Sequence, residues 1–419
     1  MTKPWCVIPF VHMYASDPIW DDKVCCVASN KLKTWADNPE NWLEEKWTSE
    51  YMVDLRKRMF DEDAELPECS ECIAMERNNG LSDRMQHEQY YKDEDIEYNI
   101  ETGNQYGAPI DFDLRPGNMC NLQCRMCGPA SSSQLNKEIK SNKTLFKQLG
   151  HKYDVVDGSN WSSEKNLSYI EKSLPNTKKI KFLGGEPTIM PDVNRLLENM
   201  NQNKIYDTLG TLHFTTNGTN LNRKFYDKIK NYKTVDVNLS IDGIDKVVEY
   251  IRYPLNFKKF KENYESVRTL DNVSVVLNCT VQSLNIHHML DYTKWALETN
   301  DDFNFVLVSH PQEYSMSALP KSYRDKYCDM VLLNEIAKNQ KVQNSRLIEI
   351  LERAKSIEYD EGVYEGLIRH CVVYDMSRKQ KLQNNIPELW ELIATDYKKL
   401  QRDYKFNTDA SGMKVKFDE

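Results

Sequence analysis

The sequence predicts an α/β protein built on a mostly parallel sheet, with a small cysteine-rich N-terminal region and a helical C-terminal extension. Three observations carry this. Between Ala108 and His310 short apolar runs alternate with amphipathic helical patterns, the signature of right-handed βαβ crossovers. Five of the eleven cysteines fall before Asn78. After Pro311 strand patterns fade while helical spacing persists. The expected divisions are 1–104, 105–310 and 311–419.

In the first division, Trp5 to Tyr14 is apolar and β-favouring, and Val24-Cys25-Cys26-Val27 is a short strand candidate. A helix is expected over Glu50–Phe60. The acidic, tyrosine-rich stretch Glu88 to Glu101 has no apolar period and reads as a surface linker. This region has few large aliphatic residues, a deficit that a bound metal centre would offset. The central division offers six strands: Ile110–Leu114, Lys179–Leu183, Thr211–Thr215, Val235–Ile241, Val273–Val281 and Phe303–Val308. Between them, Val193, Leu196, Leu197 and Met200 keep helical spacing, as do Met289, Tyr292, Trp295 and Ala296. Six units are too few for a closed eight-stranded barrel. An open, partial barrel or a doubly wound sheet fits. In the last division, Leu347, Ile350 and Leu351 mark one helix, and Leu389, Leu392, Ile393, Tyr397 and Leu400 another that starts near Pro387. The tail after Lys405 is polar.

Composition excludes several functions. With 55 Lys and Arg against 64 Asp and Glu, the net charge is −9, which disfavours broad binding to a nucleic-acid backbone. A mean hydropathy of −0.69 and the lack of long apolar runs predict no membrane-spanning helix. No secretory signal is visible, so a cytoplasmic setting is expected. There a disulfide framework is disfavoured, and eleven cysteines point to metal or redox chemistry. Cys279, Cys328 and Cys371 stand alone and read as small core residues.

The strongest motif follows the first central strand: Asp113-Leu-Arg-Pro-Gly-Asn-Met-Cys120-Asn-Leu-Gln-Cys124-Arg-Met-Cys127. Three thiolates on one tight CxxxCxxC loop can share a single polynuclear centre. Structural zinc sites and most iron–sulfur clusters take four protein ligands. Three would leave one metal corner open to a small molecule. The loop also leaves the carboxyl end of a strand, where ligands of α/β sheets gather. A zinc site completed by a distant residue is the alternative.

This loop resembles the signature of the radical S-adenosylmethionine (SAM) superfamily. The resemblance implies a partial (β/α)6 TIM-like barrel. It also implies a [4Fe–4S] cluster on Cys120, Cys124 and Cys127, with SAM chelating the fourth iron. Met126 stands where the family usually has an aromatic residue, and would pack beside the cofactor. Phe182-Leu-Gly184-Gly185-Glu186-Pro187 is similar to the family's GGEP motif; taken alone it is a turn whose glycines permit close backbone approach. Thr215-Thr216-Asn217-Gly218 and Ser240-Ile-Asp242-Gly243 end the next two strands and also read as Asx-type turns. The resemblance assigns Thr216, Asn217, Ser240 and Asp242 to the SAM pocket. It assigns Arg252 to the SAM carboxylate, and Asn278 and Thr280, with Asn285 beyond, to adenine or ribose. Glu186 would fix its loop or accept from the methionine ammonium.

Cys6, Cys25, Cys69 and Cys72 lie in a pattern similar to the SPASM/twitch domains of that superfamily, which implies an auxiliary [4Fe–4S] cluster. A zinc ribbon has nearly the same grammar. Read as a strand, Val24–Val27 would turn only one of Cys25 and Cys26 inward, and Cys25 is the expected ligand. Such domains usually follow the barrel, whereas here the cysteines precede it. The implied activity is reductive cleavage of SAM to a 5′-deoxyadenosyl radical that takes hydrogen from a substrate, with flavodoxin or ferredoxin as reductant. A peptide or protein substrate is expected. The alternatives are dehydrogenation of a sugar or other small molecule, or a non-catalytic iron–sulfur or zinc protein on the same scaffold.

Overall fold

The structure is a computed structural model that describes residues 5–16, 22–29, 39–77, 80–150, 161–299 and 301–410. All six expected strands form, and a seventh precedes them. The strands are β1 (His12–Ala15), β2 (Asp111–Leu114), β3 (Lys179–Phe182), β4 (Thr211–Thr216), β5 (Val235–Ser240), β6 (Val273–Val281) and β7 (Asp302–Leu307). They lie side by side in chain order, every pair parallel. A doubly wound sheet would reverse its strand order at a switch point. Unbroken order is the winding of an open barrel.

Each strand alternates two kinds of side chain, because successive residues face opposite sides. Phe112, Leu114, Ile180, Phe182, Leu212, Phe214, Val237 and Leu277 are fully buried on one side. The helices pack on that side. Pro191–Gln202 buries Val193, Leu196, Leu197 and Met200, and Met289–Thr299 buries Met289, Tyr292 and Ala296, as the periodicity predicts. The other face is polar. Registers bring together His12, Asp111, Lys179 and Thr211 in one row, then Asp113, Lys181, His213 and Asp236. Nearer the carboxyl ends, Ser240, Asn278 and Asn304 form another row.

The N-terminal stretch departs from expectation. Trp5 to Tyr14 is not one strand: Ile8–Val11 is a helical turn, and β1 then joins the edge of the sheet beside β2. The boundary at residue 104 therefore divides two stretches that share one sheet. Val24–Val27 is a turn, closed by the Ala28 amide on the Cys25 carbonyl at 3.2 Å, so strand alternation does not separate Cys25 from Cys26. The expected linker is occupied by helix α1 (Asp83–Tyr91) and a hairpin pairing Tyr98–Asn99 with Gly103–Asn104. Ser82 caps α1 by accepting from the Met85 amide, as an N-cap serine does. This helix lies on the polar face. The Tyr90 hydroxyl reaches Thr211 Oγ1 at 3.1 Å, and Lys179 Nζ sits 4.9 Å from the Tyr90 ring.

The C-terminal extension is helical as expected, with α2 (Glu361–Arg378) and α3 (Pro387–Ala410) its longest elements. The polar tail is helical as far as Ala410 and beyond that lies outside the described residues. Among the described residues no helix is long and apolar enough to cross a membrane.

Candidate functional site

The cysteine loop leaves β2 and is pinned by backbone bonds from several elements. Gln123 and Arg125 amides donate to the carbonyls of Tyr253 (2.6 Å) and Ile251 (2.8 Å). The Ser133 amide meets the Asn118 carbonyl at 2.7 Å, and the Glu186 amide meets that of Met119 at 2.8 Å. Cys120 and Cys124 are buried and Cys127 is half-buried. The Leu122 amide points at Cys120 Sγ (3.4 Å), and Asn217 Nδ2 lies 4.0 Å from the same sulfur. Burial, and then the neighbouring Cys124, pushes the Cys120 thiol up to about 12. Cys124 and Cys127 share a hydrogen bond that lowers the first and raises the second. The three thiols are thus close enough to perturb one another, and the donor set fits a cluster held by three thiolates.

Gly184 and Gly185 serve this loop directly. A Cβ on Gly185 would fall 2.3 Å from the Met119 carbonyl oxygen, and Gly184 takes φ +101° with the Gly117 oxygen 2.9 Å from its Cβ position. Their lack of side chains lets the β3 loop lie against the cysteine loop. Glu186 is fully buried. Its Oε1 accepts from Thr188 N (3.1 Å), Thr188 Oγ1 (2.5 Å) and Thr216 Oγ1 (2.6 Å), and its Oε2 from Asn217 N (2.7 Å). Burial raises its carboxyl above the ordinary range. Of its two expected roles, fixing the loop is the one these contacts perform.

Asp242 is likewise committed. Its Oδ1 accepts from the Thr280 amide at 2.9 Å, and its Oδ2 lies 2.7 Å from Arg252 Nε. Asn285 Nδ2 ties the Asp242 and Thr280 carbonyls, both at 2.9 Å. Arg252 therefore has a protein counter-ion inside the fold, which the sequence pattern did not reveal. Its positive charge still bears on all three thiols. Ser240, Asn278 and Thr280 are half-buried on the polar sheet face near its carboxyl end. Met126 lies across from Gln282, whose Nε2 is 3.9 Å from its sulfur.

Two groups of residues escaped sequence reasoning. Gln282 is buried, with Oε1 lacking a hydrogen-bond partner among the described residues. Arg125, inside the motif itself, is fully buried: its Nε donates to the Tyr250 carbonyl (2.9 Å), and its Nη2 to Asp375 of α2 (2.7 Å) and Gln380 (2.9 Å). Arg378 of α2 similarly pairs with Glu138 at 2.8 Å. The C-terminal helices thus brace the cysteine loop from behind. Only the presence of a charge between two cysteines hinted at this.

The four N-terminal cysteines gather. Cys6 feels Cys69, Cys25 and Cys72, and burial raises all four thiols. Cys26 donates toward Asp83 Oδ2 at 3.9 Å, a carboxylate that also bears on Cys25 and Cys72.

Residues 114–296 match the family model of the Radical SAM superfamily. Among curated proteins, molybdenum cofactor biosynthesis protein 1 of Dictyostelium discoideum is 27% identical over 190 residues, spanning 45% of this chain and 26% of that protein. The 7,8-dihydro-6-hydroxymethylpterin dimethyltransferase of Methanocaldococcus jannaschii is 26% identical over 224 residues, 48% of this chain and 40% of that one. A probable GTP 3′,8-cyclase of Methanococcus maripaludis strain C6 is 28% identical over 290 residues, 65% and 88% of the two chains. The chain thus spans well under half of the first two. Among solved structures, anSMEcpe with bound AdoMet is 20% identical with a TM-score of 0.40 over 55% of this chain and 62% of that one. SuiB of Streptococcus suis bound to S-adenosylmethionine is 16% identical with a TM-score of 0.34, over 64% and 58%.

Proposed function

We propose that this chain, a radical SAM superfamily protein through residues 114–296, reductively cleaves SAM and directs the resulting radical at a small polar substrate on the polar face of the sheet. The observation that carries this is the assembly of Cys120, Cys124 and Cys127 with the Arg252 charge at the carboxyl ends of the strands. A [4Fe–4S] cluster held by these cysteines would supply a low-potential electron to SAM, giving a 5′-deoxyadenosyl radical that takes a substrate hydrogen.

The chain's own residues then have distinct tasks. The Leu122 amide and Asn217 carboxamide orient toward Cys120, and the Leu122 amide favours its thiolate against the burial that opposes it. Glu186 locks the β3 and β4 loops together. Asp242 holds Arg252, whose guanidinium supports the SAM carboxylate, while Ser240, Asn278 and Thr280 offer polar groups for the adenosyl portion and Met126 packs beside it. Arg115, Lys181 and Asp113 cluster on the polar face beside Cys26, with Asp113 3.2 Å from Arg115 Nε and 3.6 Å from Lys181 Nζ. The half-exposed Arg115 and Lys181 suit a polar molecule, with the peptide or protein expected from sequence as the alternative. The names of the curated relatives, a GTP cyclase and a pterin methyltransferase, point the same way. Cys6, Cys25, Cys69 and Cys72 would hold an auxiliary cluster, supported by their mutual proximity. An external reductant such as flavodoxin or ferredoxin completes the scheme.

The test is anaerobic purification with iron and sulfide analysis, then dithionite-driven SAM cleavage. Wild type should form 5′-deoxyadenosine and carry about four irons on the barrel cysteines. Replacing Cys120, Cys124 and Cys127 with Ala should abolish cleavage and leave only N-terminal iron. Arg252→Ala should retain iron and weaken SAM binding roughly ten- to a hundredfold, with Arg252→Lys restoring part. Absence of deoxyadenosine from fully clustered wild type would refute the activity.

A further inference from the structure

At the amino-terminal end of the polar face, three metal-binding side chains converge away from both cysteine groups. His12 on β1 and Asp111 on β2 are register partners, and His87 reaches them from α1. One donor atom from each lies within 4.8 Å of the others. Asp111 and His12 are buried, and His87 is nearly so.

The Asp111 carboxylate lies between the two imidazoles, one on each oxygen. His12 Nδ1 stands 3.2 Å from Asp111 Oδ1, and His87 Nε2 stands 3.4 Å from Asp111 Oδ2. A charge-assisted hydrogen bond would be shorter, about 2.7–2.9 Å. His12 Nδ1 and Asp111 Oδ2 have no hydrogen-bond partner of good geometry among the described residues, while burial lowers the His87 imidazole and the Asp111 carboxylate more than offsets it, so an ion here would compete with a proton. A tetrahedral ion with bonds of about 2.0–2.1 Å separates its donors by roughly 3.3–3.4 Å, so the three donor atoms, within 4.8 Å of one another, would close on it by a small movement. His87 Nδ1 meets the Asp83 carbonyl at 2.9 Å. Donating there fixes the tautomer that leaves Nε2 with a lone pair, as the outer partner of a metal-bound histidine does. The Tyr91 hydroxyl is buried beside the same carboxylate, with no hydrogen bond of good geometry among the described residues.

We propose that His12, His87 and Asp111 bind one divalent transition-metal ion, with the Tyr91 hydroxyl or a water as fourth donor. Imidazole and carboxylate donors suit zinc or ferrous ion. The ion joins β1, β2 and α1, so it clasps the N-terminal stretch to the floor of the barrel. It stands apart from the chemistry proposed for the carboxyl ends and does not depend on it.

The experiment uses full-length, cluster-loaded protein, freed of loose metal by a chelator and titrated anaerobically with zinc chloride. Zinc retained through gel filtration is counted and examined by X-ray absorption at the zinc edge. The expected result is about one zinc per chain with nitrogen and oxygen neighbours at about 2.0–2.1 Å and no sulfur near 2.3 Å. Asp111→Asn and His87→Gln should each raise the zinc Kd at least about a hundredfold, beyond what losing an outer-shell contact gives, with iron unchanged. Cys69→Ser should keep the zinc. A sulfur shell would assign the zinc to the cysteines and overturn the proposal, as would wild type that retains no stoichiometric zinc. Should both site variants misfold, the wild-type absorption spectrum alone decides.

Discussion

Replacing Asp375 with Leu strips the counter-ion from Arg125, whose guanidinium is fully buried behind the cysteine loop. The carboxylate also accepts from the Leu382 amide (2.7 Å) and the Tyr397 hydroxyl (2.8 Å). Breaking a buried pair by removing one partner costs about 3–5 kcal/mol, because a charge is left uncompensated. Gln380, 2.9 Å from the same Nη2, keeps one hydrogen bond and places the expectation near the lower end, about 3 kcal/mol. Arg125→Met with Asp375→Leu removes both charges and should recover about 1–3 kcal/mol relative to the sum of the single changes. The Arg125 backbone bond to Ile251 survives every variant, so the cycle isolates the side chains. Urea denaturation of the four proteins of the cycle, with iron content measured in parallel, provides the assay. If the double variant equals the sum of the singles within about 0.5 kcal/mol, the pair is not what braces the loop.

Gly185→Ala should separate the β3 and cysteine loops, since the clash is with Met119 and Asn118 backbone atoms. A loss of about 1–3 kcal/mol and reduced barrel-cluster iron are expected; normal iron with an unchanged melting temperature would show that the loops can yield. Burial, and next the charge of Lys181, lowers His213 to about 3, so the folded protein holds it neutral. The unfolded chain takes up a proton below its ordinary value of about 6.5, so stability falls as pH drops from there toward 3. Relative to His213→Asn, wild type should lose about 2 kcal/mol between pH 8 and pH 5; parallel pH profiles of the two proteins would contradict this.

The six central strands were legible because each buries one face against helices, and that burial writes an alternation into the sequence. The cysteine loop was legible because its ligands are local. What escaped depends on distant partners. α1 has no apolar stripe because its inward residues, His87 and Tyr91, meet a polar sheet face. β1 has only four residues and continues an apolar run that begins as a helical turn. The pairing of Arg252 with Asp242 joins a helix end to a strand end, and that of Arg125 with Asp375 spans most of the chain. No periodicity records either. Val24–Val27 has β-favouring residues, but local turn bonding outweighs that preference.

The position of β1 sets an order for biosynthesis. His12 is made long before Asp111, its register partner, and α1 long before Thr211, which Tyr90 engages. During translation the early segment has no sheet to join, and contacts of such wide sequence separation form slowly. Until it docks, β2 exposes a bare edge of unpaired amides and carbonyls, a template for pairing with another chain. A truncation that removes His12–Ala15 would make that exposure permanent, so shortened versions of this protein should self-associate through β2 even where the cysteine loop is intact.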